Sequence, residues 1–190
     1  MKRLPFLLVA FVMAGSVFVG CDGDDDDISA IINWRDNNKR WLEEKQAQKD
    51  ADGKPYYEMI VPDWDPSSFV LIHYFNERTD DPNALKPIYT STVDVRYRLE
   101  LYNGVACDSS STLTEYGPGV YRSQLSNLID GWAAAVCNMN VGDTAEVIVP
   151  YALGYGTTSS GSVPAYSNLK FNIRLGDIYK YEASPETSNQ

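Results

Sequence analysis

Few side chains in this sequence could carry covalent or proton-transfer chemistry. There is one histidine, His73, inside the apolar run FVLIHYF. A histidine-rich metal site is therefore excluded, and Ser-His catalysis is open only if His73 itself serves. Its place in a strand-like run reads as structural. There are three cysteines, Cys21, Cys107 and Cys137. Cys107 stands in NGVACDSS, between the tight-turn dipeptide Asn103-Gly104 and the acidic reversal Asp108-Ser109-Ser110. By contrast, 13 tyrosines and 6 phenylalanines supply aromatic surface in quantity. No nucleophile–base pair and no ligand cluster emerges, so no metal or cofactor is expected.

The bulk properties agree. A chain of 190 residues, 44% hydrophobic and 22% charged, suits one globular domain with appendages. The aromatic and β-branched content favours a sheet. The net charge of −10 and the lack of a Lys/Arg cluster argue against a nucleic-acid partner.

At the N-terminus, Lys2 and Arg3 precede an uncharged run from Leu4 to Gly20, the pattern of an export signal. The run ends VFVGC, which resembles the bacterial lipoprotein signal, with residues 1–20 removed and Cys21 lipidated. Phe18 stands where that signal usually has leucine. After Cys21 comes DGDDDD. Read physically, residues 21–27 are an extended, self-repelling tether. A calcium loop is a poor alternative, because consecutive carboxylates cannot all converge on one ion. The acidic run is also similar to the surface-export signal of Bacteroidetes lipoproteins. The protein would then be lipid-anchored at the outer membrane, on its periplasmic face or at the cell surface.

The elements that must position any site follow from periodicity. Residues 28–48 read as an amphipathic helix, with Ile28, Ile31, Ile32, Trp41 and Leu42 at helical spacing. YYEMIV (56–61) and FVLIHYF (69–75) read as strands, and 77–87 as a loop. DVRYRLELY alternates Val95, Tyr97, Leu99 and Leu101 against Arg96, Arg98 and Glu100, a half-buried strand. VYRSQL (120–125) and TAEVIVP (144–150) are further strands. LIDGWAAAVCNM (128–139) is a short helix to be packed on the sheet. Residues 151–167 form a long Gly/Ser loop, NLKFNIRLGDIY (168–179) is the last strand, and 181–190 is a polar tail. The sum is an α+β domain, a curved antiparallel sheet covered on one face by a short helix. Residues 28–90 form an N-terminal helix and strand extension, and 91–180 the main domain.

The order of four segments resembles the FKBP-type peptidyl-prolyl cis-trans isomerases. They are VDVRYRLELYNGVACDSS, LIDGWAAAVCNMNVGD, VPYALGYG and VPAYSNLKFNIRL, and the resemblance covers about residues 93–178. It implies an FKBP-like fold and a pocket whose catalytic residues are Tyr97, Asp108, Ile129, Trp132, Tyr155 and Phe171. Tyr97 and Phe171 match aromatic walls, Trp132 the floor beneath the proline ring, and Asp108 the acidic rim. Ile129 matches the position whose backbone N–H holds a substrate carbonyl, and Tyr155 the hydroxyl donor. Cys107, Tyr121, Leu128 and Val163 match further substrate-contacting positions, with a shortened segment between Ser110 and Leu128. Without the resemblance, Tyr97, Trp132, Val163 and Phe171 suit a core as well as a pocket, and Asp108 a turn.

The implied activity is rotation about X–Pro bonds of proline-containing segments in exported proteins, with the membrane as the other partner through Cys21. Two positions depart from the family pattern. Cys107 replaces the usual phenylalanine and Ser162 an apolar residue, so the alternative is a catalytically weak or inactive binding or chaperone lipoprotein. A purely structural surface lipoprotein is a third reading. With Cys21 lipidated, Cys107 and Cys137 are an even pair in an oxidising compartment. They either form a disulfide, adding on the order of 3–4 kcal/mol in the entropy model, or remain thiols that pack as small apolar groups.

Overall fold

A computed structural model describes residues 23–78 and 84–181, with side chains from residue 28 onward. The expected lipidation site at Cys21, the signal segment and the tail from 182 lie outside the described residues. Helix α1 spans Gly23–Ala47. It begins inside the acidic run, so Gly23–Asp27 are helical rather than an extended tether.

Seven strands follow: β1 (Glu58–Ile60), β2 (Val70–Tyr74), β3 (Thr92–Leu101), β4 (Ala106–Ser109), β5 (Tyr121–Gln124), β6 (Thr144–Val149) and β7 (Leu169–Lys180). Helix α2 spans Asp130–Val136, between β5 and β6. The strands form one antiparallel sheet in the order β1-β2-β6-β7-β3-β4, with β5 pairing the first half of β3. Strands β1 and β2 of the expected extension thus belong to the same sheet as the main domain, through pairing of β2 with β6.

The alternation along each strand sorts the two faces. Val70 and Ile72, Val147 and Val149, and Leu169, Phe171, Ile173 and Leu175 are all buried in the core that takes α2. Helix α2 buries Trp132 through Val136 against them. Its small residues let it lie close. A β-carbon built on Gly131 would stand 2.3 Å from Val149 Cγ1, well inside contact distance. On the other face, Leu71 and Ile148 face each other across β2 and β6. With Tyr57 they form a second cluster, which receives Trp41 and Leu42 of α1. Helix α1 thus covers the second face through Trp41 and Leu42, and its Trp34 also packs against the core that takes α2. His73 belongs to this scaffold. Its ring stacks on Tyr56 at 3.8 Å, and its Nδ1 lies 2.8 Å from the Tyr56 carbonyl oxygen.

Candidate functional site

One cavity of about 230 Å³ opens beside the N-terminal end of α2. The sheet supplies its walls. Tyr97 and Leu99 are two residues apart on β3 and so project to one face. Phe171 of β7 is the register partner of Leu99. Tyr121 comes from β5 and Asp108 from β4. Leu128 and Ile129 come from the link between a 3-10 turn at Leu125–Asn127 and α2, and Trp132 from the first turn of α2. Tyr155 reaches in from the loop after β6.

The rings form an edge-on box. Tyr97 meets Trp132 at 5.4 Å and 87°, and Tyr121 at 5.7 Å and 71°. Trp132 meets Phe171 at 5.6 Å and 73°. Such edge-to-face contacts fix ring orientation and leave an apolar hollow. Trp132 is only 3% exposed and forms the floor. Its indole nitrogen is buried with no hydrogen-bond partner among the described residues.

The polar groups gather at the rim. The Tyr97 hydroxyl donates to Asp108 Oδ2 at 2.6 Å. Burial, then this bond to a carboxylate, pushes the Tyr97 phenol well above its ordinary pKa. Burial also raises Tyr155, with the Asp108 charge and Tyr121 adding to it. Both hydroxyls therefore keep their protons at neutral pH. Tyr97 spends its proton on Asp108, whereas the Tyr155 hydroxyl has no partner among the described residues. Ile129 is the N-cap of α2, extended at φ −61° and ψ 144°. Among the described residues, no hydrogen bond uses its N–H, as befits the unpaired donors of a helix start. The hollow thus has two unengaged donors, one backbone and one phenolic, at its edge.

Of the residues picked out in the sequence, Tyr97, Asp108, Tyr121, Leu128, Ile129, Trp132, Tyr155 and Phe171 all line this cavity. Val163 does not; it is 4% exposed and packs in the core. Cys107 does not either. It borders a neighbouring depression with Ala106, Ser109 and Ser111, on the flank of Asp108. Two lining residues were missed, Leu99 and Asn127. Leu99 could have been found from its two-residue spacing to Tyr97; nothing in the sequence marks Asn127.

The disulfide considered for Cys107 and Cys137 is not formed, and both are free, half-buried thiols. The reason is topological. Cys107 sits on β4, at one edge of the sheet. Cys137 caps the C-terminal end of α2 beside Ile60, Val61 and Trp64, near the opposite edge. Burial pushes the Cys137 thiol up to about 11. Among the described residues no group of His, Cys, Asp and Glu could hold a metal ion, and no helix is long and apolar enough to cross a membrane.

Residues 85–176 match the family model described as FKBP-type peptidyl-prolyl cis-trans isomerase. That segment, just under half of the chain, is similar to the family. The chain is 29% identical to the macrophage infectivity potentiator of Trypanosoma cruzi over 183 aligned residues, covering 91% of this chain and 84% of that protein. It is also 29% identical to the FKBP-type isomerase FkpA of Escherichia coli over 150 residues, but spans only 53% of that protein's length. Two solved structures share the fold. The crystal structure of E. coli FkpA superposes with a TM-score of 0.62 at 20% identity, covering 81% of this chain and 64% of that one. A peptidyl-prolyl isomerase from Pseudomonas syringae superposes at 0.57 and 22% identity, covering 75% and 92%. Every residue that lines the cavity lies within the matched segment.

Proposed function

We propose that this chain is a peptidyl-prolyl cis-trans isomerase whose site is the cavity floored by Trp132. The observation that carries the reading is the pairing of an aromatic-walled hollow with two unengaged donors, the Ile129 N–H and the Tyr155 hydroxyl. Rotating a peptide bond costs ~18–20 kcal/mol because the planar amide loses resonance. The twisted amide is less charge-separated than the planar one, so an apolar hollow favours it. A proline ring seated between Tyr97, Trp132 and Phe171 would be gripped while its preceding carbonyl turns. The fixed donors would hold that carbonyl without reorganising. Asp108 contributes by holding the Tyr97 hydroxyl, which fixes one wall. No nucleophile, base or cofactor takes part.

The substrates proposed are proline-containing segments of exported proteins, with the protein anchored to the outer membrane through lipid on Cys21. The signal-like start and VFVGC support that location. A second reading, peptide binding with weak catalysis, is favoured by one observation. Cys107, where the family usually has phenylalanine, borders the neighbouring depression and adds no apolar surface to the cavity.

A protease-free cis/trans assay on a proline peptide separates the two. Under the first reading the full chain in detergent is active. Tyr155→Phe lowers the rate about tenfold, the value of one hydrogen bond of about 1.4 kcal/mol in the transition state. Trp132→Ala abolishes it. Binding of the same peptide without acceleration supports the second reading, and neither binding nor acceleration sinks both.

A further inference from the structure

Helix α1 is tied to the rim of the cavity by two buried asparagines. Asn38 and Asn168 are each 1% exposed. Asn38 Oδ1 accepts the Asn168 N–H at 2.8 Å, and Asn168 Nδ2 donates to the Asn38 carbonyl at 2.7 Å. Asn38 Nδ2 donates in turn to the Trp34 carbonyl at 3.0 Å. The remaining group, Asn168 Oδ1, accepts the Tyr151 N–H at 2.9 Å. The Tyr151 carbonyl accepts the N–H groups of Gly154 at 3.0 Å and Gly156 at 2.8 Å. Tyr155 lies between those two glycines. One turn higher on α1, Trp34 Nε1 donates to Ser167 Oγ at 3.1 Å, and that hydroxyl donates to the Pro164 carbonyl at 2.7 Å.

Attaching the helix does not require this network. Trp41 and Leu42 already pack on Leu71 and Ile148. Burying two amides is unfavourable unless each is paired, and a fully paired buried network specifies one geometry rather than adding general adhesion. Here that geometry includes the root of the Tyr155 turn. Gly156 takes φ +64°, and its surroundings would accept a β-carbon, so neighbouring side chains do not hold the turn at that point. Two backbone bonds hold it: its N–H donates to the Tyr151 carbonyl, which the asparagine pair positions, and its own carbonyl accepts the Tyr166 N–H at 2.9 Å.

We propose that Asn38 is a positioning residue for the isomerase site, acting through Asn168 and Tyr151 to hold Tyr155 at the rim. This rests on the reading of Tyr155 as a donor in that site. The helix that precedes the matched segment is then part of the site's machinery. A displacement of about 1 Å at a donor can lower a rate by as much as a hundredfold.

The test is a double-mutant cycle on the full chain, read as kcat/KM on a proline peptide, with thermal unfolding as the control for folding. Asn38→Ala should lower kcat/KM about tenfold, mainly in kcat. It should cause no further loss in a Tyr155→Phe background. Lys39→Ala, on the exposed side of the same helix, should match wild type. Losses that add in the double variant, or no loss in Asn38→Ala, overturn the proposal. Amide hydrogen exchange on the wild-type chain tests the same linkage if Asn38→Ala fails to fold. The amides of Tyr151, Gly156 and Asn168 should share one protection level, and a Gly156 amide exchanging far faster than Asn168 overturns it. Inactive wild type with shared protection would sink the isomerase reading while leaving the mechanical coupling of helix and turn established.

Discussion

Cys107 and Ser162 bond to each other across the flank of the cavity. Ser162 Oγ donates to the Cys107 carbonyl at 3.3 Å, and the Cys107 thiol reaches the Ser162 carbonyl at 3.8 Å. The two positions read in the sequence as departures from the FKBP pattern are therefore neighbours, and they meet through polar groups. Cys107→Phe is expected to raise kcat/KM on a peptide with an apolar residue before proline by about tenfold. That is the lower end of the ~1.5–3 kcal/mol for burying a large side chain, because the position is only half-buried. An unchanged rate would mean that position 107 contributes nothing to peptide capture.

The free state of both cysteines gives a direct chemical expectation. Burial raises the Cys137 thiol to about 11, and only the thiolate reacts. Under non-reducing conditions, a thiol reagent at mildly alkaline pH should find both residues, Cys137 much the slower. Cys137→Ser should remove the slow phase alone, and reductant should leave isomerase activity unchanged. A denatured, unreduced sample that yields neither thiol would show that the two are bridged.

The short helix and the strands were legible because alternation and helical spacing are strong local signals. Tyr97, Leu99 and Leu101 announce the buried face of β3, and Ala133 to Ala135 announce a helix lying close to a sheet. The site was legible only through the order of its segments. Tyr97 from β3, Tyr155 from a loop and Trp132 from α2 share no local pattern, and their meeting depends on how the helix and the loop dock on the sheet. Three features were not readable. The helix starts at Gly23, inside a run whose like charges argue for an extended chain. The separation of Cys107 from Cys137 depends on which edge of the sheet each occupies. The pairing of Asn38 with Asn168 is a contact between residues 130 apart in sequence, and neither asparagine carries a signal of burial.

Gly131 sets how closely α2 approaches β6. An added methyl would stand 2.3 Å from Val149 Cγ1 and 3.2 Å from Leu153 Cβ, and both neighbours are themselves buried. Gly131→Ala should therefore destabilise by about 1–3 kcal/mol through overpacking, despite the better helix propensity of alanine. It should also disturb the site, because Ile129 and Trp132 flank the moved residue. Denaturant unfolding measures the first effect and peptide titration the second. A stabilised variant would mean that α2 rides further from the sheet than its small residues imply.

Three phenols raised by burial should limit the fold at alkaline pH. Burial raises Tyr74 to about 12 against the opposing pull of Arg78. Tyr57 is raised further by burial and its bond to Glu146, and Tyr97 by burial and its bond to Asp108. An unfolded tyrosine titrates at about 10. Below that pH the phenols are protonated in both states, and their contribution to stability is fully present. Above it the unfolded chain releases protons that the folded chain keeps, so stability falls as pH rises and is lost through the folded pKa values. The melting temperature should accordingly decline above pH of about 10. Tyrosinate absorbance from these three residues should appear together with loss of the sheet signal rather than before it. Tyr74→Phe should make the decline shallower, since it removes one of the protons released on unfolding. Full phenolate absorbance at pH of about 10 with the fold intact would show that these hydroxyls are open to solvent, and with them the wall of the cavity that Tyr97 forms.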